Sequence, residues 1–279
     1  MYNQWLSKRV LSFAHQGGAN EAPASTQFAF ESAARKGVDA LELDLHLSLD
    51  GVIVCNHDRD LTSATGVELG IDEAGFEEIA AMDAGYCFQD KEGSFPYRGR
   101  RSQDDRFRLL RIEEVLEGFP DLVCNLDIKD DFGPDAGFEA RLAKTIERYD
   151  AKDRTIVASF HPEPLKRIRK CDPEIFTSAS TDEAYSFYKD FLSGEPGDNP
   201  FDYCALQLPD TLEGNEYLSP GLVDYAHKRG VAVHIWTVDQ PKRMGYLVEL
   251  GCDGIISDSP GVLVEVLNSL GVAYRGGKQ

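Results

Sequence analysis

Short apolar runs of strand character alternate with helical patterns eight times along this 279-residue chain. The runs are VLSFA (10–14), ALELDLH (40–46), LVCNLDI (122–128), TIVASF (155–160), IFTSA (175–179), YCALQL (203–208), VAVHIWTV (231–238) and GIIS (254–257). Strand then helix, repeated, implies parallel strands, because a chain returns to a parallel neighbour only through a long crossover. An open doubly wound sheet also alternates, but eight cycles favour closure into a (β/α)8 TIM barrel. We therefore expect an α/β fold with a single barrel domain over residues 1–279, a length that suits one such domain. Helix starts support the count. Ser25 and Thr26 precede the pattern at 26–36, Ser180 and Glu183 have capping-box spacing, and Ser219–Pro220 and Ser259–Pro260 read as a cap followed by proline. Asp239 is expected to cap the helix near 240–250.

One run breaks the alternation. VIVCNH (52–57) follows ALELDLH after only a few residues, too few for a helical crossover, and Asp50–Gly51 is a hairpin turn signal. It is an antiparallel excursion after the second strand, outside the barrel count. Residues from about 59 to 109 then read as a small insertion, least regular over AGYCFQDKEGSFPYRGRRSQDDRFR (84–108), which suggests a lid over the barrel mouth. GEPGDNPFD (194–202) reads as a polar loop.

The second strand places chemistry where a core is being built. Leu41, Leu43, Leu45 and Leu47 share one face; Glu42, Asp44 and His46 share the other. In a barrel the leucines face the helices and the polar set faces the interior. The hairpin brings His57 back roughly level with Glu42. The fourth strand repeats the device, with Asp127 and Lys129 in phase with Val123 and Asn125. Burying three bare carboxylates costs several kcal/mol each even after relaxation, on the order of the effective penalty for any buried ion. One hard divalent cation held by Glu42, Asp44 and Asp127 is the economical solution. His15 ends the first strand, and Gly17–Gly18 beside it suggest close backbone approach by a ligand. Two histidines near a metal suggest a general acid and a general base, and a metal with Lys129 suits an oxyanion such as phosphate. The other histidines read first as structure: His46 as part of the hairpin or as support behind the site, His161 as a helix start, His227 as a helix surface residue, His234 as packing or barrel lining.

The formal net charge of −19 argues against nucleic acid and against docking on anionic membranes. It also means that an anionic substrate needs a local reversal of the field. No apolar run approaches a membrane span, and the N-terminus lacks a signal-peptide layout. Six cysteines lie far apart without a C-x-x-C pair, which favours free thiols and a cytoplasmic protein.

These residues resemble the glycerophosphodiester phosphodiesterase family, a branch of the phosphatidylinositol phospholipase C-like phosphodiesterase barrels. The resemblance rests on HQGGANEAPASTQFAFESAARKGVDALELDLHLSLDGVIVCNHDRDLTSATG (15–66), then MDAGY (82–86), LDIK (126–129), IWTVD (235–239) and GIISDSP (254–260), in order over nearly the whole chain. It implies a metal-dependent enzyme, with Mg2+ or Ca2+ as its one cation, that cleaves a small-molecule phosphodiester and releases an alcohol. Carried over by position, it implies Glu42, Asp44 and Asp127 as metal ligands and His15 and His57 as the catalytic histidines. Lys129 is implied as a phosphate contact and Trp236 as an aromatic at the substrate end. Asp127 stands where the family has a glutamate. Gln16 stands where it has a phosphate-contacting arginine, and PAST (23–26) stands for Pro-Glu-Asn-Thr.

The resemblance also implies a route. A substrate hydroxyl attacks phosphorus while one histidine takes its proton, and the other protonates the leaving alcohol. A cyclic phosphate is then hydrolysed. Which histidine plays which part stays open. Three functions follow: a glycerophosphodiesterase giving an alcohol and glycerol 3-phosphate, a phospholipase D-like enzyme of lipid metabolism acting on lysophospholipids, or a non-catalytic phosphate-binding barrel. An apolar mouth built from Tyr86, Phe88, Phe95 and Tyr97 would favour the second; two retained histidines argue against the third.

Overall fold

The computed structural model describes residues 3–6, 9–194 and 201–273. Most of the polar stretch 194–202 lies outside the described residues. Nine strands are present among the described residues: β1 (Leu11–His15), β2 (Ala40–Leu47), β3 (Ile53–Cys55), β4 (Val123–Ile128), β5 (Thr155–Ala158), β6 (Phe176–Thr177), β7 (Ala205–Pro209), β8 (Ala232–Trp236) and β9 (Gly254–Ser257). The helices are α1 (Gln27–Lys36), α2 (Thr62–Thr65), α3 (Phe76–Ala81), α4 (Ile112–Gly118), α5 (Phe138–Arg148), α6 (Pro162–Cys171), α7 (Thr181–Ser193), α8 (Pro220–Lys228), α9 (Pro241–Leu250) and α10 (Pro260–Ser269). No helix among the described residues is long and apolar enough to cross a membrane.

Eight parallel strands run in the order β6-β5-β4-β2-β1-β9-β8-β7. The ring is nearly closed: β6 meets β7 through the single parallel bridge Ser178–Ala205, with Cys204 N–H donating to the Thr177 carbonyl at 2.9 Å. This is the expected (β/α)8 barrel. Among the strands β3 pairs only with β2, antiparallel, Leu45 against Cys55 and Leu47 against Ile53; its other side makes a single bridge, Val54 to Arg111. Because the hairpin stands off the ring, β2 and β4 become direct neighbours.

Two apolar layers follow from period two. Leu41, Leu43, Leu45, Cys124, Leu126 and Ile128 pack outward with Phe30 of α1 and Phe138 and Leu142 of α5. Inward, Leu11, Phe13, Ala40, Ile156, Ala205, Ala232 and Ile256 plug the lower barrel, beneath the polar residues. Burying each large side chain is worth about 1.5–3 kcal/mol relative to exposure, so a one-residue slip of β2 would cost its whole leucine face.

The caps mostly follow the sequence. Thr26 accepts from Ala29 N–H, Ser180 and Glu183 form a reciprocal capping box, and Ser219 accepts from Leu222 N–H. Asp239 does not cap α9, whose cap position is Gln240. Its Oδ1 instead accepts from Ser257 Oγ (2.8 Å) and from the backbone N–H groups of Asp258 (2.9 Å) and Ser259 (3.2 Å). The acid is drawn to the loop after β9, where three donors converge. Ser259 stands at the cap position of α10 without a side-chain cap bond; its Oγ accepts from Asn20 Nδ2 at 3.1 Å.

Residues 59–109 form α2, α3 and short turns around Leu61, Ile71, Phe76, Ile79 and Leu109, a small core of their own with Val54 of β3.

Candidate active site

The carboxyl ends of β1, β2 and β4 carry the inward polar residues. Register fixes their neighbours: His15 lies beside Glu42, Glu42 beside Asn125, and Asp44 beside Asp127. His57 enters from the loop after β3. His15, Glu42, Asp44, His57, Asp127, Lys129 and Trp236 line one cavity of about 490 Å3 at the barrel mouth. Among the expected site residues, only Gln16 stands off that lining.

The acids are deeply buried: Glu42 is 4% exposed, Asp44 1% and Asp127 8%. Each offers an oxygen within 4.8 Å of the others. Lys129 Nζ lies 3.0 Å from Asp44 Oδ1 and 3.4 Å from Asp127 Oδ2. Asp44 Oδ2 and Asp127 Oδ1 are buried without a hydrogen-bond partner. Two orphaned carboxylate oxygens at one point are costly unless a cation meets them. Burial, with Asp44 and Asp127 alongside, pushes the Glu42 carboxyl well above the usual range, against the pull of His15 and Lys129. Burial likewise raises Asp127, against the pull of Lys129. For Lys129, burial works against the charge, yet Asp44 and Asp127 prevail and raise it. The donor set is all oxygen and anionic, which suits a hard divalent ion.

His15 is set from three sides. Its Nδ1 lies 2.7 Å from Asp258 Oδ1, its Nε2 3.8 Å from Glu42 Oε2 and 3.3 Å from Gln16 Nε2. Burial lowers the imidazole, but Glu42 and Asp258 outweigh it and hold it at about 9. His57 is half exposed, with Nδ1 2.8 Å from Asp58 Oδ1. The two imidazole rings stand 6.1 Å apart, nearly perpendicular. A phosphoryl group between them would have a proton donor or acceptor on either side.

Several sequence expectations change here. Gln16 is buried, with its backbone N–H on the Glu42 carbonyl and its side-chain amide against His15. A neutral amide can donate to a bare ring nitrogen or accept from a protonated one, whereas arginine can only donate. Gly17 and Gly18 serve the turn rather than a ligand. Both have positive φ, and a Cβ would strike Ala29 of α1 at one and Pro260 of α10 at the other. The aromatics of the insertion are spent on each other and on α1: Tyr97 stacks with Phe107 and packs at a tilt against Phe88 and against Phe28 of α1, and Arg98 covers Tyr86 and Phe95. None of Tyr86, Phe88, Phe95 and Tyr97 lines the cavity. The apolar wall comes instead from Phe160, Tyr185 and Tyr188 of α7, Leu208, Leu212, Tyr217 and Trp236.

Sequence reasoning gave no role to Asp258, the partner of His15, or to Asp58, the partner of His57. Asp258 was findable: it is in phase with Gly254 and Ile256, so it points inward at the end of the last strand. His161 stands at the cap position of α6 without a side-chain cap bond, His227 pairs with Asp253 at 2.8 Å, and His234 is fully buried against Phe13.

The model of the glycerophosphoryl diester phosphodiesterase family matches residues 15–262. The chain belongs to this family. It is an enzyme, a phosphoric diester hydrolase by that membership. A glycerophosphodiester phosphodiesterase of Caldanaerobacter subterraneus subsp. tengcongensis is 29% identical over 278 residues, covering 94% of this chain and 100% of the relative. A human lysophospholipase D is 25% identical over 288 residues, covering 96% and 88%. Among solved structures, an Oleispira antarctica phosphodiesterase in complex with the product sn-glycerol-3-phosphate superposes with a TM-score of 0.74. It shares 21% identity, covers 93% of this chain and 97% of its own, and shares the fold. Every stretch quoted above for the family resemblance falls inside the matched span.

Proposed function

We propose that the protein hydrolyses glycerophosphodiesters to an alcohol and glycerol 3-phosphate by histidine acid/base catalysis at a metal-assisted site. The carrying observation is the convergence of His15 and His57 on the acid cluster of Glu42, Asp44 and Asp127. Those three acids would hold one Mg2+ or Ca2+; the two orphaned oxygens support the fit. An ion held there would supply positive charge to a phosphoryl oxygen. Lys129, on the same wall, contributes a second positive group to the phosphate and offsets the repulsion of a −19 chain. One histidine takes the proton of the attacking substrate hydroxyl, and the other protonates the departing oxygen. Asp258 and Asp58 each fix one ring through Nδ1; His15 Nε2, which meets Gln16 and Glu42, exchanges those contacts for the substrate. Water then opens the cyclic phosphate, with the histidines in exchanged roles. Trp236 flanks the substrate on the opposite wall.

A second reading is favoured by that wall. Phe160, Tyr185 and Leu212 remain 51%, 63% and 54% exposed at the cavity rim. They suit a diester with a long apolar arm, such as a lysophospholipid. The six free thiols support a reducing, cytoplasmic setting for either reading.

The test is turnover of glycerophosphocholine and of a lysophosphatidylcholine with Mg2+, with Ca2+ and with chelator. Activity on at least one substrate, abolished by chelator and restored by one of the ions, is expected. His15→Ala and His57→Ala should each lower kcat by at least roughly a hundredfold, the scale of a positioned acid or base. Full activity of metal-stripped protein would overturn the proposal.

A further inference from the structure

We propose that His46 is a positioning residue that acts through His57. It ties the backbone that presents His57 to the loop that presents Lys129. The inference rests on His57 working as acid or base, as read above, and adds a residue that touches no substrate.

His46 lies two residues beyond Asp44 on β2, in the same phase. Its ring does not reach the site cavity. It lines a separate groove with Arg59, Asp72, Asp130 and His161, yet its side chain is only 4% exposed. Both ring nitrogens meet oxygen. Nε2 lies 3.2 Å from the backbone carbonyl of His57, and Nδ1 lies 3.2 Å from Asp130 Oδ2. Asp130 directly follows Lys129. One buried ring therefore joins the loop after β3 to the loop after β4.

The loop after β3 needs such a tie. The ladder to β2 ends at Cys55, and one further bond, Asn56 N–H to the Asp44 carbonyl at 3.0 Å, prolongs it. Beyond that the His57 side chain is 47% exposed and is held by its own neighbour, Asp58. Asp58 orients the ring and is itself held by Ser63 Oγ of α2 at 2.6 Å, while Asn56 Nδ2 donates to the carbonyls of Asp58 and Asp60; none of these bonds reaches β2. Past the Asn56–Asp44 bond, His57's own contact with the rigid strand β2 is its carbonyl on His46. A displacement of about 1 Å at a reacting group can cost on the order of a hundredfold in rate. Imidazole suits the task because its two nitrogens lie on opposite sides of a flat, stiff ring and can each donate when both carry a proton. A glutamine carries both donors on one nitrogen and reaches one acceptor well.

A merely structural histidine would affect stability, and its effect on rate would multiply with that of any other variant. A residue acting through His57 has nothing left to position once the imidazole is removed. The experiment is a double-mutant cycle on the metal-loaded protein with glycerophosphocholine. It uses His46→Phe, His57→Ala and the double variant, with kcat, KM, metal affinity by calorimetry and Tm recorded for each. His46→Phe is expected to lower kcat by about ten- to a hundredfold, with KM and metal affinity within about threefold of wild type. His46→Gln should recover part of that loss. In the His57→Ala background the same His46→Phe change should alter kcat by less than about twofold. Equal fold-losses in both backgrounds would overturn the proposal while leaving the assignment of His57 intact. Near-normal kcat in His57→Ala alone would overturn that assignment, and the positioning role with it. Should His46→Phe fail to fold, Asp130→Asn weakens the outer half of the tie at a partly exposed residue. Its loss in kcat, smaller in size, must likewise vanish when His57 is absent, and persistence there overturns the proposal.

Discussion

Asp44→Asn separates metal binding from both folding and chemistry. Asp44 is 1% exposed; its Oδ1 meets Lys129 at 3.0 Å and its Oδ2 meets no protein donor. Asparagine keeps the shape and one oxygen but removes the charge. Without metal, that charge is a burden, since burial and then Asp44 are the leading causes that push Glu42 up. The metal-free variant should therefore melt no lower than metal-free wild type by more than a few degrees. With metal the order reverses. A ligand at about 100 times its Kd stabilises a protein by about 2.7 kcal/mol. Losing one of three anionic ligands is taken as a loss of at least about a hundredfold in affinity, or about 2.8 kcal/mol. At the same metal concentration the stabilisation then falls to about 0.4 kcal/mol. For a chain of this size, at about 2 °C per kcal/mol, a metal-induced shift near 5 °C shrinks to about 1 °C. The assay is thermal unfolding with chelator and with Mg2+ or Ca2+, backed by calorimetric titration. A variant that keeps the full metal-induced shift would refute the placement of the ion at Asp44. A metal-free variant that fails to fold would refute the claim that the charge is tolerated only for its ligand.

Three further outcomes are expected. Asp258→Asn should lower kcat by about tenfold or more while leaving the metal-induced Tm shift intact, because the carboxylate that orients and charges His15 is replaced by an amide; an unchanged kcat would show that His15 does not depend on it. Gln16→Arg should lower KM for glycerophosphocholine by about tenfold, the worth of one charged hydrogen bond, and an unchanged or higher KM would mean that glutamine is no handicap at this position. Burial holds the His234 imidazole down at about 4, from an ordinary 6.5, so its neutral form stabilises the fold above pH 6.5. That contribution, about 3 kcal/mol by linkage, is lost as the pH falls from 6.5 towards 4, because the unfolded chain takes up the proton first. Asp39, raised by burial to about 6, acts in the opposite sense in the same window, so the measurement is the difference in unfolding free energy between wild type and His234→Phe across pH 4–7. A difference that does not vary with pH would refute the assignment.

The parts of the fold legible in the sequence were those with a period. Leucines alternating with Glu42 and Asp44 identified both faces of β2, and Asn125, Asp127 and Lys129 did the same for β4, because a barrel interior gives each face its own chemistry. The hairpin was legible because Asp50–Gly51 is a turn by composition, and Gly51 has the positive φ such turns need. Loop contacts had no such period. Asp239 carries a sound capping signal, yet hydrogen-bonds across to the loop after β9. Gly17 and Gly18 look like a ligand cradle in one dimension, and in three they admit α1 and α10.

The apolar wall shows most clearly why local pattern falls short. Both the insertion and α7 are rich in aromatic residues, and only geometry decides which of them meets the cavity. Strand β6 is just two residues long, and α7 begins four residues after it. Thr181, Ala184, Tyr185 and Tyr188 then form a stripe at i, i+3, i+4 and i+7 along the first two turns, all of it on the cavity. Phe187 takes the opposite side and is buried in the outer core. From sequence alone that stripe is indistinguishable from an ordinary core face. What distinguishes it is the short strand before it, which starts the helix close to the barrel mouth. The Phe28, Phe88, Tyr97 and Phe107 rings satisfy one another beside α1 and leave the opening free. The apolar wall, and with it any preference for a large substrate arm, therefore draws on α7, on Leu208 and Trp236 of the strands and on the loops after β5 and β7, rather than on the aromatic content of the insertion.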